Sequence, residues 1–333
     1  MIILKRIKEP SMRIAVTVGV YNEEKNIARL IKSLLEQTRQ PDEIIICDDG
    51  STDKTAEKIK SFAEKYPQIK YLYQKNAGPA KARNNAWRNS TAEICVFTDG
   101  DCIPELNWIQ ELTKPLADGK IGATAGGYKT LNNHSLLARF IGYEIEWRYR
   151  NIKGEIDAHG TYNLAVKKSI LEEIGGLNEE YPKASGEDWD MTYKISKKYK
   201  LIFFPTAIVG HYHPEKFWWY MKNQTRRAYD RIKVYKDHPE MRFHDNYTPS
   251  ITKYQITASG FILPSLILAY PLFRYSYTVP LALFLFLFIS TLPVFPYLAK
   301  KSLAVAFFSI PIQFSRNFAW FIGLIKGLMN FGL

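Results

Sequence analysis

Four short polar clusters in this 333-residue chain combine residue types that can do chemistry. The tightest is Thr98-Asp99-Gly100-Asp101. Two carboxylates separated by one small residue at a strand end can reach a single hard cation, and Mg²⁺ or Mn²⁺ held by oxygen keeps open positions for a diphosphate. A cation there acts as a Lewis acid toward a departing nucleotide diphosphate. The second cluster, Gly186-Glu187-Asp188-Trp189-Asp190, follows Gly175-Gly176-Leu177-Asn178-Glu179. It offers a carboxylate able to deprotonate an attacking hydroxyl, although acidic residues at a helix start also simply complement the dipole. The remaining clusters are Tyr21-Asn22-Glu23-Glu24 and Asp48-Asp49-Gly50-Ser51-Thr52-Asp53. Asp, Gly and Ser suit turns and N-caps. At adjacent strand ends, however, both clusters face one crevice, where carboxylates can accept hydrogen bonds from a base or a ribose.

Positioning these clusters requires a strand before each, and the sequence supplies them. Ile14–Val20, Glu43–Cys47, Ile69–Tyr73 and Glu93–Thr98 are apolar runs that read as buried strands. Between them, Asn26–Gln37, Thr52–Tyr66 and Gly78–Asn89 carry helical patterns; in the first, the apolar residues are Ile27, Leu30, Ile31, Leu34 and Leu35. Apolar runs separated by helices predict an α/β fold with a mostly parallel sheet and helices on both faces. Ligands of such sheets bind beyond the carboxyl ends of the strands, where the polar clusters fall.

Competing signatures are missing. No G-x-G-x-x-G follows the first strand, and neither a G-x-x-x-x-G-K-[ST] phosphate loop nor a G-x-S-x-G elbow occurs. Cys47, Cys95 and Cys102 form no metal-ligand spacing; their odd number, with two in strand-like runs, predicts reduced thiols and a cytosolic catalytic domain. Met1–Pro10 lacks a long apolar stretch, so a cleaved signal peptide is not expected.

The net charge of +12 calls for an anionic partner. Residues 246–333 contain no Asp or Glu, while Lys253, Arg274, Lys300, Lys301, Arg316 and Lys326 supply +6. A basic, strongly apolar tail reads as membrane segment and not as a nucleic-acid site. Tyr254–Phe273 and Tyr275–Ala299 are 20 and 25 residues without a charge, and Ser302–Ser315 adds 14. About 20 residues cross a bilayer core as a helix. About three spans are therefore expected, near 256–273, 278–298 and 303–325, the last interrupted by Arg316 and Asn317. Multi-pass topology with the catalytic domain facing the cytoplasm brings Lys300 and Lys301 back to the cytosol, as the positive-inside tendency prefers. Between the halves, Phe217-Trp218-Trp219-Tyr220 precedes Lys222, Arg226, Arg227, Arg231 and Lys233, a pattern suited to the headgroup layer. The expected division is a catalytic domain at 1–213, interfacial helices and linker at 214–253, and a membrane domain at 254–333.

Taken in order, Val18-Gly19-Val20-Tyr21-Asn22-Glu23-Glu24, Glu43–Asp53, Asn76-Ala77-Gly78, Ala82-Arg83-Asn84, Asp99-Gly100-Asp101 and Gly186-Glu187-Asp188 resemble glycosyltransferase family 2, inverting enzymes of GT-A fold. That resemblance implies a membrane-anchored hexosyltransferase that moves a sugar from a nucleotide-diphosphate donor, UDP-linked above all, to a lipid-linked or glycan acceptor. It implies that Tyr21, Glu23, Asp48, Asp49 and Arg83 line the nucleotide pocket, with Asp99 facing donor and metal and Asp101 the more direct metal ligand. Asp188 becomes the catalytic base, with Glu187 beside it, and Asn163 in Gly160-Thr161-Tyr162-Asn163 a contact to sugar or acceptor. His211 of His211-Tyr212-His213 becomes a third ligand. Two departures stand out: Gly19 replaces a usual Pro, and Gln224-Thr225-Arg226-Arg227-Ala228 lacks the Trp of the processive Q-x-x-R-W motif. Single addition is therefore expected. The rival expectations are a metal-dependent nucleotidyltransferase of related fold and a catalytically idle membrane scaffold.

Overall fold

Every residue of Ile14–Val20 except half-buried Gly19 is buried, so this first strand, β1, is covered on both faces. A computed structural model describes residues 12–332 apart from 151, 153, 182, 184, 243–246 and 274–276. The expectation for Met1–Pro10 and the charge of Arg274 lie outside the described residues. β1 is followed by α1 (Ile27–Leu35), β2 (Glu43–Asp48), α2 (Thr55–Ala63), β3 (Ile69–Tyr73), α3 (Pro79–Arg88) and β4 (Ile94–Thr98). These elements lie within one to three residues of the expected ranges. Next come β5 (Cys102–Pro104), α4 (Trp108–Thr113), β6 (Ile121–Thr130), α5 (Leu136–Tyr149), β7 (Gly154–Glu155), β8 (Asn163–Lys167), α6 (Lys168–Ile174), α7 (Glu187–Ser196) and β9 (Lys200–His211).

The strands form one sheet in the order β3-β2-β1-β4-β8-β6-β9-β5, with β7 also on β9. β3, β2, β1 and β4 run parallel as a block, and β9 runs parallel to β6. β8 enters antiparallel to both β4 and β6, and β5 and β7 lie antiparallel to β9. The sheet is therefore mixed: β5, β7 and β8 run against the direction of the other strands. An apolar run shows that a strand is buried on both faces but carries no sign of its direction.

Alternation along the strands feeds two cores. Val16, Val18, Ile44, Ile46 and Val96 pack with Ile27, Leu30, Ile31 and Leu34 of α1, while Cys95, Phe97 and Leu164 pack on the opposite side with Trp87, Leu171 and Met191. Each fully buried Leu or Ile of α1 contributes roughly 1.5–3 kcal/mol relative to exposure.

After the sheet the chain is helical: α8 (Phe217–Asp237), α9 (Ile251–Phe273), α10 (Thr278–Thr291), α11 (Phe295–Lys301) and α12 (Leu303–Phe331). Leu137 and Phe140 of α5, Tyr220 and Met221 of α8, Leu298 of α11 and Ile312 and Ala319 of α12 share a third core. Among the described residues one stretch, Thr278–Lys301, with mean hydropathy 2.2 over its apolar window, is long and apolar enough to cross a membrane by length and composition. α12 differs from the simple span expected at 303–325: its Arg316 is buried and paired with Glu144 of α5, and its Gly323 and Gly327 lie against the backbone of α8.

Candidate active site

The clusters after β1 and β2 tie the ends of those strands together. Asn22 adopts a positive φ of 57°. Its backbone N–H donates to Ser51 Oγ and its side-chain oxygen accepts from Thr52 N. Glu23 N donates to Thr55 Oγ1, and Glu24 N to Asp53. Asp48 accepts from Ser51 N and from the Tyr71 hydroxyl. Asp49 accepts from Gln74 and from the backbone N–H groups of Ala77 and Gly78, which fixes the start of α3. Gly78, at φ 98°, is followed by Pro79 at the first helical position, where a missing N–H costs nothing. Both aspartates are buried with every carboxylate oxygen engaged, so they shape the rim of the crevice, whereas Tyr21 is half exposed there.

Arg83 projects from α3 beneath this rim and is itself buried. It donates to Asp99 at 2.7 Å and to Glu187 at 3.0 Å, joining the cluster after β4 to the start of α7. Any side chain at Gly100 would crowd Glu23 and Val20, so Glu23 closes against the Asp99-Gly100-Asp101 turn. Burial, partly relieved by a hydrogen bond from Asn26 and reinforced by Asp101 and Asp99, raises the Glu23 carboxyl to about 7.

Strand pairing brings the distant histidine to the same turn: Cys102 of β5 lies opposite His211 of β9. His211 Nε2 is 3.5 Å from Asp101, and Asp101, Cys102 and His211 offer ligand atoms all within 4.8 Å of one another. His211 Nδ1 is buried with no hydrogen-bond partner among the described residues. One carboxylate and one imidazole beside a second carboxylate, Asp99, are a donor set that fits a hard divalent cation. Cys102 is the member the sequence did not suggest, because its proximity arises across strands and not from spacing. Burial holds its thiol well above the usual range, and a soft sulfur ligand suits a hard divalent cation poorly. His213, the alternative to His211, is buried, and that burial lowers its pKa to about 3.

Asp188 stands at the first turn of α7, whose N-cap Gly186 has φ 109°. A Cβ at Gly160 would lie 3.2 Å from its Oδ2, so the glycine lets the chain pass close over the carboxylate. Asp188 Oδ1 accepts from Trp189 N. Burial raises its proton affinity against the opposing charges of Arg83 and Arg231. Burial, and after it the charge of Asp188, raises Glu187 to about 7 despite its ion pair with Arg83. Asp190 belongs elsewhere: it binds His238 at 2.8 Å and Lys194 at 2.7 Å.

Asn163 is not at this site. Its amide is fully buried, accepting from Trp108 Nε1 and donating to the carbonyls of Gly127 and Ala207. It bolts β8 to α4 and to the β6 and β9 strands, and no polar atom is left for a sugar. Tyr128 and Tyr162, which were not singled out from the sequence, stack at 4.0 Å between the histidines and His159.

Residues 15–175 match the family model described as glycosyl transferase family 2. The probable glycosyltransferase YdaM of Bacillus subtilis is 31% identical over 238 residues, covering 65% of this chain and 55% of YdaM. The UDP-Glc:alpha-D-GlcNAc-diphosphoundecaprenol beta-1,3-glucosyltransferase WfgD of Escherichia coli is 31% identical over 129 residues, 38% of this chain and 50% of that protein. The chain thus spans about half the length of these relatives. Among solved structures, a mannosyltransferase from Pyrobaculum calidifontis in complex with GDP-Man and Mn²⁺ superposes with TM-score 0.62 at 20% identity, covering 95% of this chain and 87% of that one. The fold is therefore GT-A-like, and residues 15–175 are similar to the glycosyl transferase family 2 domain.

Proposed function

We propose that this chain is a metal-dependent glycosyltransferase that moves a sugar from a nucleotide-diphosphate donor, UDP-linked in the first instance, onto an acceptor hydroxyl with inversion. The observation that carries the reading is Arg83, whose two ion pairs bring Asp99 and Glu187 from distant stretches into one cluster beside Asp188. Asp101 and His211 would hold the cation, with Asp99 beside them. When bound, the cation supplies positive charge to the diphosphate as its bond to the sugar breaks. Arg83 keeps a fixed positive charge between the metal side and the base side, and Glu187 fixes its orientation. Asp188 takes the proton from the attacking hydroxyl. One base and a single displacement lead to inversion at the anomeric carbon.

The mannosyltransferase with bound GDP-Man and Mn²⁺ supports a nucleotide-sugar donor and a divalent metal. WfgD, named for a UDP-glucose donor and a diphosphoundecaprenol-linked acceptor, supports UDP and a lipid-linked acceptor over a free glycan. Exposed apolar side chains on α9 and α10, among them Phe261, Leu263, Ile267, Leu281 and Phe284, support attachment to membrane lipid. The absent Trp after Arg227 supports addition of one sugar at a time.

Asp188→Asn tests the assignment. Transfer is expected to fall by about 100- to 10,000-fold, the contribution of a positioned base, with UDP binding retained. Transfer close to the wild-type rate would remove Asp188 from the chemistry.

A further inference from the structure

We propose that Arg231 is a positioning residue for Asp188: clamped on Trp189, it fixes the start of α7 and keeps a positive charge beside the base, and α12 holds it there through α8. This rests on the reading of Asp188 as base. The Arg231 guanidinium carbon lies 3.5 Å from the centre of the Trp189 ring, and Trp189 directly follows Asp188. The Trp189 backbone N–H is in turn the donor to Asp188 Oδ1. A cation stacked on that indole therefore fixes the peptide that orients the carboxylate.

The charges facing Asp188 come from several elements. Glu187 on its own helix and Asp99 after β4 repel it, Tyr149 of α5 lies close, and Arg83 of α3 and Arg231 of α8 attract it. Arg83, the stronger attraction, is shared with Asp99 and Glu187, and Arg231 adds a second positive charge from α8.

Arg231 keeps its place because α8 is gripped from behind. Arg316 of α12 binds Glu144 of α5 and the Tyr220 hydroxyl, and Trp320 donates to Gln224 at 2.9 Å. Side chains at Gly323 and Gly327 would strike Thr225 O, Ala228, Ile232 and Tyr229 O. Only glycine permits this approach, so the last helix acts as a splint for the helix that carries Arg231.

The test measures pH profiles of kcat/KM on the full chain in detergent, with a nucleotide sugar that the wild-type protein turns over. Wild-type turnover that Asp188→Asn abolishes is the first arm, and its absence counts against the transferase reading alone. In the second arm, Arg231→Met is expected to move the acidic limb upward by about one pH unit, so activity drops about tenfold below the limb and recovers above it. Donor KM is expected to stay unchanged, and Arg231→Lys, which keeps the charge, to return the limb toward wild type. An equal loss at every pH in both variants would show a merely structural role and overturn the proposal, as would an unmoved limb at full activity.

Discussion

Asn163 shows how residue type and neighbourhood can mislead. A polar residue after Gly160-Thr161-Tyr162 reads as a ligand contact, yet its amide meets three buried partners: Trp108 Nε1, Gly127 O and Ala207 O. Removing it leaves these without a partner, and a buried unsatisfied group costs about 1–3 kcal/mol. Asn163→Ala is therefore expected to lower stability by about 2–4 kcal/mol, read as an earlier thermal unfolding transition. A transition within error of wild type would mean the amide is not the bolt described. The Asp99/Asp101 pair and Glu187-Asp188 stood out by their place at the end of an apolar run and at a helix start, although acidic residues at a helix start also serve the dipole. Cys102 was not, because its nearness to His211 depends on how β5 pairs with β9. Asp48 and Asp49 lie between: their place at the crevice was readable, but not that every oxygen is engaged in holding it open.

At the scale of elements, helical spacing and apolar runs place β1 to β4 and α1 to α3 to within three residues, since β1, β2 and β4 are buried on both faces and the edge strand β3 keeps its apolar run. Strand direction was beyond reach, because β8 looks the same to its neighbours in sequence whichever way it runs. α12 is the larger surprise. Its composition reads as a bilayer span, but Gly323 and Gly327 are spaced one helical turn apart to meet α8, and Arg316 is buried in an ion pair with Glu144. Gly323→Leu forces a branched side chain against Thr225 O and Ala228, and overpacking of this kind costs about 1–3 kcal/mol. A lower unfolding temperature of the full chain in detergent, with reduced transfer, is the expected outcome; an unchanged transition would show that the two helices are not packed as closely as this.

For the whole molecule, the clustering of function follows from topology. The polar clusters after β1, β2 and β4 meet at one edge of the sheet, and the return of β9 along β6 and β5 delivers His211 to that edge. Exposed aromatic residues gather on the helical side, where Trp218 and Trp219 at the start of α8 are 80% and 55% exposed. One helix, α8, therefore runs from those tryptophans to Arg231, which stacks on Trp189 next to Asp188. The central claim, that Asp101 and His211 hold a cation which in turn holds a nucleotide diphosphate, is tested most directly by thermal unfolding of the full chain with UDP or GDP, in Mn²⁺ and in EDTA. A ligand at 100 times its Kd stabilises the native state by about 2.7 kcal/mol. The account predicts a raised transition only when nucleotide and Mn²⁺ are both present, and no rise in Asp101→Ala. The same rise in EDTA, or none with either nucleotide in Mn²⁺, would contradict it.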